Sequence, residues 1–211
     1  MRKTSRFLLL LIAAACTSKQ PASQSESAAA ATPAASPATT ANSAVPDAAT
    51  ESAVAPEVNP PGDIPDTQAF VPYSSASSGY SIEVPEGWAR TGDGASVTFV
   101  SKLDGLRIDV APTPPQTAAN AVTEAKHIQA QGRAVNITST SNVNLPSGNA
   151  ALIKYDSNSE PNSVTQKQVR LENEAFVVFR NGKQAIVTMW APKGADNADQ
   201  WKRMSRSFRW Q

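Results

Sequence analysis

Apolar and polar positions along the second two-thirds of the chain follow two periods. Tyr80, Ile82 and Val84 alternate with Ser81 and Glu83, and Leu106, Ile108 and Val110 alternate with Arg107 and Asp109. A period of two sets each apolar series on one face of a β-strand. Asp104-Gly105, Ser147-Gly148 and Asn181-Gly182 fall between apolar runs, and such dipeptides predict tight turns, hence hairpins and a largely antiparallel sheet. In "EAFVVFRNGKQAIVTMWAP", a two-residue turn at Asn181 and Gly182 puts Val178 opposite Ala185 and Val177 opposite Ile186. Phe176 and Val178 then share one face, and Val177 and Phe179 the other. A strand pair apolar on both faces belongs in mid-sheet, with a layer on each side.

Helical spacing supplies two elements for those layers. In "TAANAVTEAKHIQAQG", Ala118, Ala121, Val122, Ala125 and Ile128 recur at helical intervals, with Thr117 placed to cap the start and Gly132 the end. In "GADNADQWKRMSRSFRW", Ala198, Trp201, Met204, Ser205 and Phe208 form one arc of a helical wheel, and Lys202, Arg203, Arg206 and Arg209 another. Asp196 and Asp199 lie at the N-terminal end of this second helix and the cations toward its C-terminal end, as the helix dipole favours. The apolar arc is expected to close the core and the cations to form its wet face, a candidate docking face.

Upstream the composition changes. Residues 17–66 are almost entirely Ala, Ser, Thr and Pro, without an aromatic residue, and prolines at 33, 37, 46, 56, 60 and 61 interrupt every long alanine run. Such a stretch buries too little apolar area to offset its ordering entropy. It is expected to be a disordered tether, 16–66, ahead of one domain, 67–211. Fifty residues of coil would span about 40 Å and extend to about 150 Å. Charge divides the same way: residues 17–66 carry one lysine against six carboxylates, and residues 67–211 fifteen Lys or Arg against twelve Asp or Glu. An excess of that size gives no reason to expect a nucleic-acid partner.

The single cysteine closes "MRKTSRFLLLLIAAAC", a cationic start, a short apolar run and small residues. That is the pattern of a secretory signal over residues 1–15, too short to span a bilayer. Small residues directly before Cys16 resemble the bacterial lipobox, although Ala13 stands where leucine is commonest. The resemblance implies lipidation of Cys16, which becomes the mature N-terminus, and several acyl chains on one residue hold a protein on a membrane essentially permanently. The alternative is an ordinary secreted protein with a chance cysteine. Thr17, in place of Asp, resembles lipoproteins sent on to an outer membrane. The expected location is therefore the cell envelope: the outer membrane of a two-membrane cell, the cell surface otherwise. With no second cysteine there is no intrachain disulfide and no thiolate metal cluster.

"GYSIEVPEGW" at the start of the domain and "NGKQAIVTMWAPKGADNADQWKRMSRSFRW" at its end resemble the PsbP-like superfamily, which includes lipoproteins of the LpqN type. The positions that carry the resemblance are Tyr80, Ile82, Pro85 and Trp88, then Ala191, Pro192, Gly194, Asp196, Trp201 and Phe208. It implies an α/β (α+β) fold, a mostly antiparallel sheet sandwiched between helices. It implies accessory or binding roles with differing partners, and carries over no functional residue.

Candidate chemistry is sparse. His127 is the only histidine and lies opposite the apolar stripe of its helix, so it is expected to face water. A histidine-rich zinc site is excluded by count. Glu172 and Glu174 alternate on one strand and project from one face, where they would bind a hard cation or act as an acid and base pair, or simply be solvated. Asp156 and Glu160 are expected in a polar loop that lacks the spaced ligands of a calcium site. "RTGDGAS" precedes a strand rather than a helix, so it is a turn and not a phosphate loop. "NIT" at Asn136 reads as strand.

These observations lead to an expected lipid-anchored accessory or binding lipoprotein of the cell envelope, without catalytic activity or cofactor, partnered by the membrane and by an envelope protein or small ligand. A carboxylate- or metal-dependent envelope enzyme and a structural surface protein are the alternatives. A concave site separates them: convergent acids favour an enzyme, an apolar cleft a ligand carrier.

Overall fold

The computed structural model describes residues 51–113 and 121–211, all of which belong to one compact unit. Cys16, Thr117 and Ala118 lie outside the described residues. The elements run β1 (Phe70–Ser75), β2 (Tyr80–Pro85), β3 (Ala89–Asp93), β4 (Ser96–Ser101), β5 (Asp104–Pro112), α1 (Ala121–Gln131), β6 (Asn136–Leu145), β7 (Gly148–Asn158), β8 (Arg170–Arg180), β9 (Lys183–Pro192), α2 (Ala198–Ser207) and β10 (Arg209–Trp210). Seven strands form an antiparallel sheet in the order β3-β4-β5-β9-β8-β7-β6.

The β8–β9 hairpin lies in mid-sheet with the expected register, Val178 opposite Ala185 and Val177 opposite Ile186. Asn181 and Gly182 form its turn, both at positive φ, 51° and 74°, as a type I′ turn requires. Alternation along β8 divides the interior. Phe176 and Val178 join the larger core with Met189, Trp201, Met204 and Phe208. Ala175 and Val177 join a smaller core under α1 with Ala125, Ala151 and Ile153. The protein is thus a mostly antiparallel sheet with a helix on each face.

The α2 layer is mixed. β1, β2 and β10 make a separate three-stranded sheet, so Tyr80, Ile82 and Val84 pack with α2 from outside the main sheet. Tyr80 stacks on Phe208 with ring centroids 5.7 Å apart, and Phe208 meets Trp210 edge-on at 5.4 Å. Within α2, Trp201, Met204 and Ser205 are buried as expected, but Gln200 is buried and Ala198 exposed. In α1, Val122 is exposed and the packed arc is Ala121, Ala125 and Ile128.

Four other expectations are corrected. The β4–β5 turn uses Lys102 and Leu103, while Asp104 and Gly105 begin β5; the β6–β7 turn uses Pro146 and Ser147, one position earlier than expected. Asp156 lies within β7 rather than in a loop. Residues 51–66, expected to end the tether, lie against the domain. Ile64 is buried, its N–H donates to Asn197 Oδ1 at 2.6 Å, and Asn197 Nδ2 donates to Gly62 O at 2.8 Å. Asp63 Oδ1 accepts from Asp196 N at 2.8 Å, just ahead of α2. A segment without apolar periodicity is held here by its backbone polar groups, by the Asp63 and Asp66 carboxylates and by one buried side chain, Ile64.

Candidate functional site

Among the described residues a concave site lies on each face of the sheet. The first is on the α2 face, at the end of β7 and β8. Cross-strand pairing sets Asp156 opposite Glu172 and Lys154 opposite Glu174, and the four side chains share a cleft of about 390 Å³ with Lys193 and the start of α2. Glu172 and Glu174 do project from one face. Lys193 Nζ pairs with Asp156 Oδ2 at 2.6 Å and Lys154 Nζ with Glu174 Oε1 at 2.5 Å. Glu172 makes no direct ion pair of this kind among the described residues: burial pushes its carboxyl up, a hydrogen bond from the Gly194 backbone opposes that, the nearby Asp156 and Glu174 add to the rise, and the charge of Lys193 opposes it. Among the described residues no group of three or more acidic, histidine or cysteine side chains is arranged to hold a metal ion. Chemically the ledge offers one reluctant carboxyl between two charge-compensated ones.

The second site is larger and of different character. On the α1 face the helix covers β6 and β7 and leaves the end of the sheet beside it open. The C-terminal end of α1, the β4–β5 turn and the loop 159–169 wall a cleft of about 970 Å³. Its floor includes Tyr155, Leu171, Thr188 and Trp190, side chains of β7, β8 and β9 that alternate away from the α2 core. Gly132 N makes the last helical bond of α1, to Ile128 O at 2.9 Å, and the chain then turns through Ala134 at positive φ, which brings Arg133 to the rim. Burial pushes the Tyr155 phenol up to about 12, with Glu124 adding to the effect, so the hydroxyl stays neutral over the physiological range. Asn173 braces the floor, donating through Nδ2 to Tyr155 O at 3.1 Å and Ser157 Oγ at 3.0 Å.

The other candidates are dispersed. His127 is exposed on α1. Lys202, Arg203, Arg206 and Arg209 are all exposed, but two are engaged within the chain: Arg203 pairs with Glu83 at 2.9 Å and lies 4.3 Å from the Phe70 ring centroid, and Arg209 Nη1 donates to the backbone oxygens of Arg206 and Phe208. Glu160 stands at the rim of the larger cleft, apart from Asp156. Arg133 and Trp190, which shape that cleft, carry no motif. The one sequence signal for Trp190 is the two-sided apolar character of its hairpin.

Residues 73–210 match the family described as the serine/threonine kinase C-terminal domain. No curated protein sequence matches the chain. Similar solved structures include one from Bacteroides thetaiotaomicron, 14% identical with a TM-score of 0.48, covering 66% of this chain and 48% of that one. The chain thus spans about half the length of that protein. The cyanobacterial PsbP of Synechocystis is 15% identical with a TM-score of 0.49, covering 71% of this chain and 98% of that one. The Saccharomyces cerevisiae Ran-binding protein Mog1p is 10% identical with a TM-score of 0.44, covering 68% and 96%.

Proposed function

The chain belongs to the serine/threonine kinase C-terminal domain family, and from that premise we propose that it is a lipid-anchored accessory module of the cell envelope, a PsbP-like lipoprotein that binds a ligand and catalyses no reaction. The observation that carries the reading is the cleft on the α1 face. Its volume of about 970 Å³ and its largely apolar wall suit a small molecule with an extended apolar body. Lipidation at Cys16 would keep the domain on the outer membrane of a two-membrane cell, or on the cell surface otherwise, with the membrane as one partner and the ligand or an envelope protein as the other.

The test is titration of the full chain with the neutral apolar dye N-phenyl-1-naphthylamine. Saturable binding is expected, with loss on Trp190→Ala or Val169→Asp, which change the wall of the cleft. Binding that fails to saturate, or survives both changes, refutes the cleft as a ligand site.

A second reading has the raised carboxyl of Glu172, beside Asp156 and Glu174, in its favour: a carboxylate-dependent envelope enzyme. A hydrolytic activity of the purified chain toward ester, glycoside or peptide substrates that Glu172→Gln abolishes would displace the first reading.

A further inference from the structure

The rim of the large cleft contains an ion pair that joins the domain to the segment ahead of it. Arg133 Nε lies 2.9 Å from Glu51 Oε2, with the two side chains only 17% and 14% exposed. Despite that distance the two atoms are misaligned, and neither makes a hydrogen bond. Arg133 Nη1 is also 3.6 Å from Glu160 Oε2, whose side chain is 84% exposed. A shielded guanidinium is best stabilised by paired, aligned hydrogen bonds to its anion. Here it meets one carboxylate without an aligned hydrogen bond and a second, exposed one at 3.6 Å.

Glu51 arrives on a segment that forms one edge of the same cleft. Val54 N donates to Asn158 Oδ1 at 3.1 Å, Asn158 Nδ2 donates to Ser52 O at 2.9 Å, and both Asn158 and Glu57 line the cleft. Asn158 Oδ1 also accepts from Arg170 Nη1 at 3.0 Å, and Arg133 O accepts from Asn158 N at 2.9 Å. The contacts that dock residues 51–57 therefore converge on the side chains that shape the rim. Among the lining residues Arg107 is held by Asp109, and Lys102, Arg133 and Lys167 face Glu57 and Glu160, so displacing Glu51 leaves the rim with one uncompensated cation above an apolar floor.

We propose that the ligand is an amphipathic anion, a carboxylate or phosphate on an apolar chain, whose charged end pairs with Arg133, and that Glu51 is an internal stand-in for it. The inference rests on the reading of this cleft as the ligand site. The apolar chain lies on Tyr155, Leu171 and Trp190, and the anion displaces the Glu51 carboxylate. Ligand occupancy and docking of residues 51–57 are then linked with opposite sign. The docked segment lowers the apparent affinity in proportion to the fraction of molecules in which Arg133 is free, and the bound ligand releases residues 51–57 from the domain.

The experiment titrates the full chain, Glu51→Gln and Arg133→Gln with dodecanoate, dodecyl phosphate and dodecyltrimethylammonium below their micellar concentrations, and with the neutral dye. Glu51→Gln is expected to tighten binding of one anionic probe by roughly fivefold or more while changing the dye less than about twofold. Arg133→Gln, checked for a native melting transition, is expected to weaken the same probe by about tenfold or more. The cationic probe is expected to gain nothing from Glu51→Gln. Hydrogen exchange at the Val54 amide should quicken when the anion binds. Which anion responds distinguishes a carboxylate from a phosphate ligand. If the dye binds but Glu51→Gln leaves both anions unchanged or weaker, the stand-in is refuted while the cleft stands. If neither dye nor anion binds, the cleft reading itself fails.

Discussion

The indole of Trp190 lies directly over Gly105, its cross-strand partner: a Cβ on Gly105 would overlap Cζ2 and Cε2 of the ring. Gly105 is not among the residues at positive φ, so the glycine is required for space and not for backbone conformation. It lets a large ring lie down on β5 and floor the cleft. Gly105→Ala is expected to push the ring off the sheet, at a cost of about 1–3 kcal/mol, and to change dye binding as well. Because the two sites act through one contact, Gly105→Ala combined with Trp190→Ala should cost less than the sum of the single changes. Thermal or urea unfolding of the four proteins measures this; simple additivity would mean that ring and backbone do not touch.

Asp104, the neighbour of Gly105, makes stability depend on pH. Burial pushes its carboxyl up to about 6; a hydrogen bond from Asn197 opposes the rise, and Asp63 adds to it. A carboxyl whose folded pKa lies above its unfolded value binds its proton more tightly in the folded state. Its contribution is fully present below the unfolded value near pH 4 and is lost as pH rises through about 6. Asp104→Asn keeps an oxygen for Asn197 and carries no charge. It is expected to raise the melting temperature at pH 7 and flatten the decline between pH 4 and 7. Some slope should remain, because Glu172 is shifted in the same direction. An unchanged profile would show that Asp104 is solvated.

How legible these features are in the sequence depends on whether their cause is local. The Asn181-Gly182 turn is set by its own backbone demand, so the dipeptide and its register can be read directly. Asp104-Gly105 looks the same as a dipeptide, but its glycine answers to Trp190 in another strand. The burial of Trp201 and Met204 follows from helical period; that of Phe208 does not, because α2 ends at Ser207 and Phe208 and Arg209, expected on the helix, lie beyond it in extended chain. Nor does the docking of residues 51–66, since single side chains such as Asn197 and Asn158 hold it through backbone groups. Glu172 and Glu174 are predictable as neighbours on one face; their approach to Asp156 needed the length of β7. The large cleft is illegible because its walls come from a helix end, a turn and a loop whose meeting no periodicity encodes.

Cys16→Ser separates the anchor from the fold. The residue precedes the domain by a long stretch of chain, so the melting transition should be unchanged. On the proposed lipidation, the protein is expected to leave the membrane fraction or to accumulate as uncut precursor, since acyl chains on Cys16 would supply the membrane affinity. Fractionation of cells expressing both forms reads the result, and a processed Cys16→Ser protein that stays with the membrane rules out lipidation there.

The apolar and cationic positions of α2 and of the two residues after it should respond differently to substitution. Trp201 and Phe208 are 5% and 1% exposed and pack in the larger core, so Trp201→Ala and Phe208→Ala should each cost about 3–5 kcal/mol, since a lost ring leaves a cavity that its surroundings fill only partly. Phe208 should be the more sensitive, because it touches both Tyr80 and Trp210 and so ties α2 to the small sheet. Lys202, Arg203, Arg206 and Arg209 are solvated, and neutralising all four should cost little. Arg203 is the one with a pair and a ring beneath it, a surface contact of no more than about 1 kcal/mol. The quadruple variant should lose binding to vesicles containing anionic phospholipid only if this face docks on a membrane, and added salt should then produce the same loss in the unmodified chain. Melting curves and vesicle sedimentation on both sets of variants give the answer. Ring truncations that leave the melting curve alone while abolishing vesicle binding would make α2 an exposed recognition helix and overturn its place in the core.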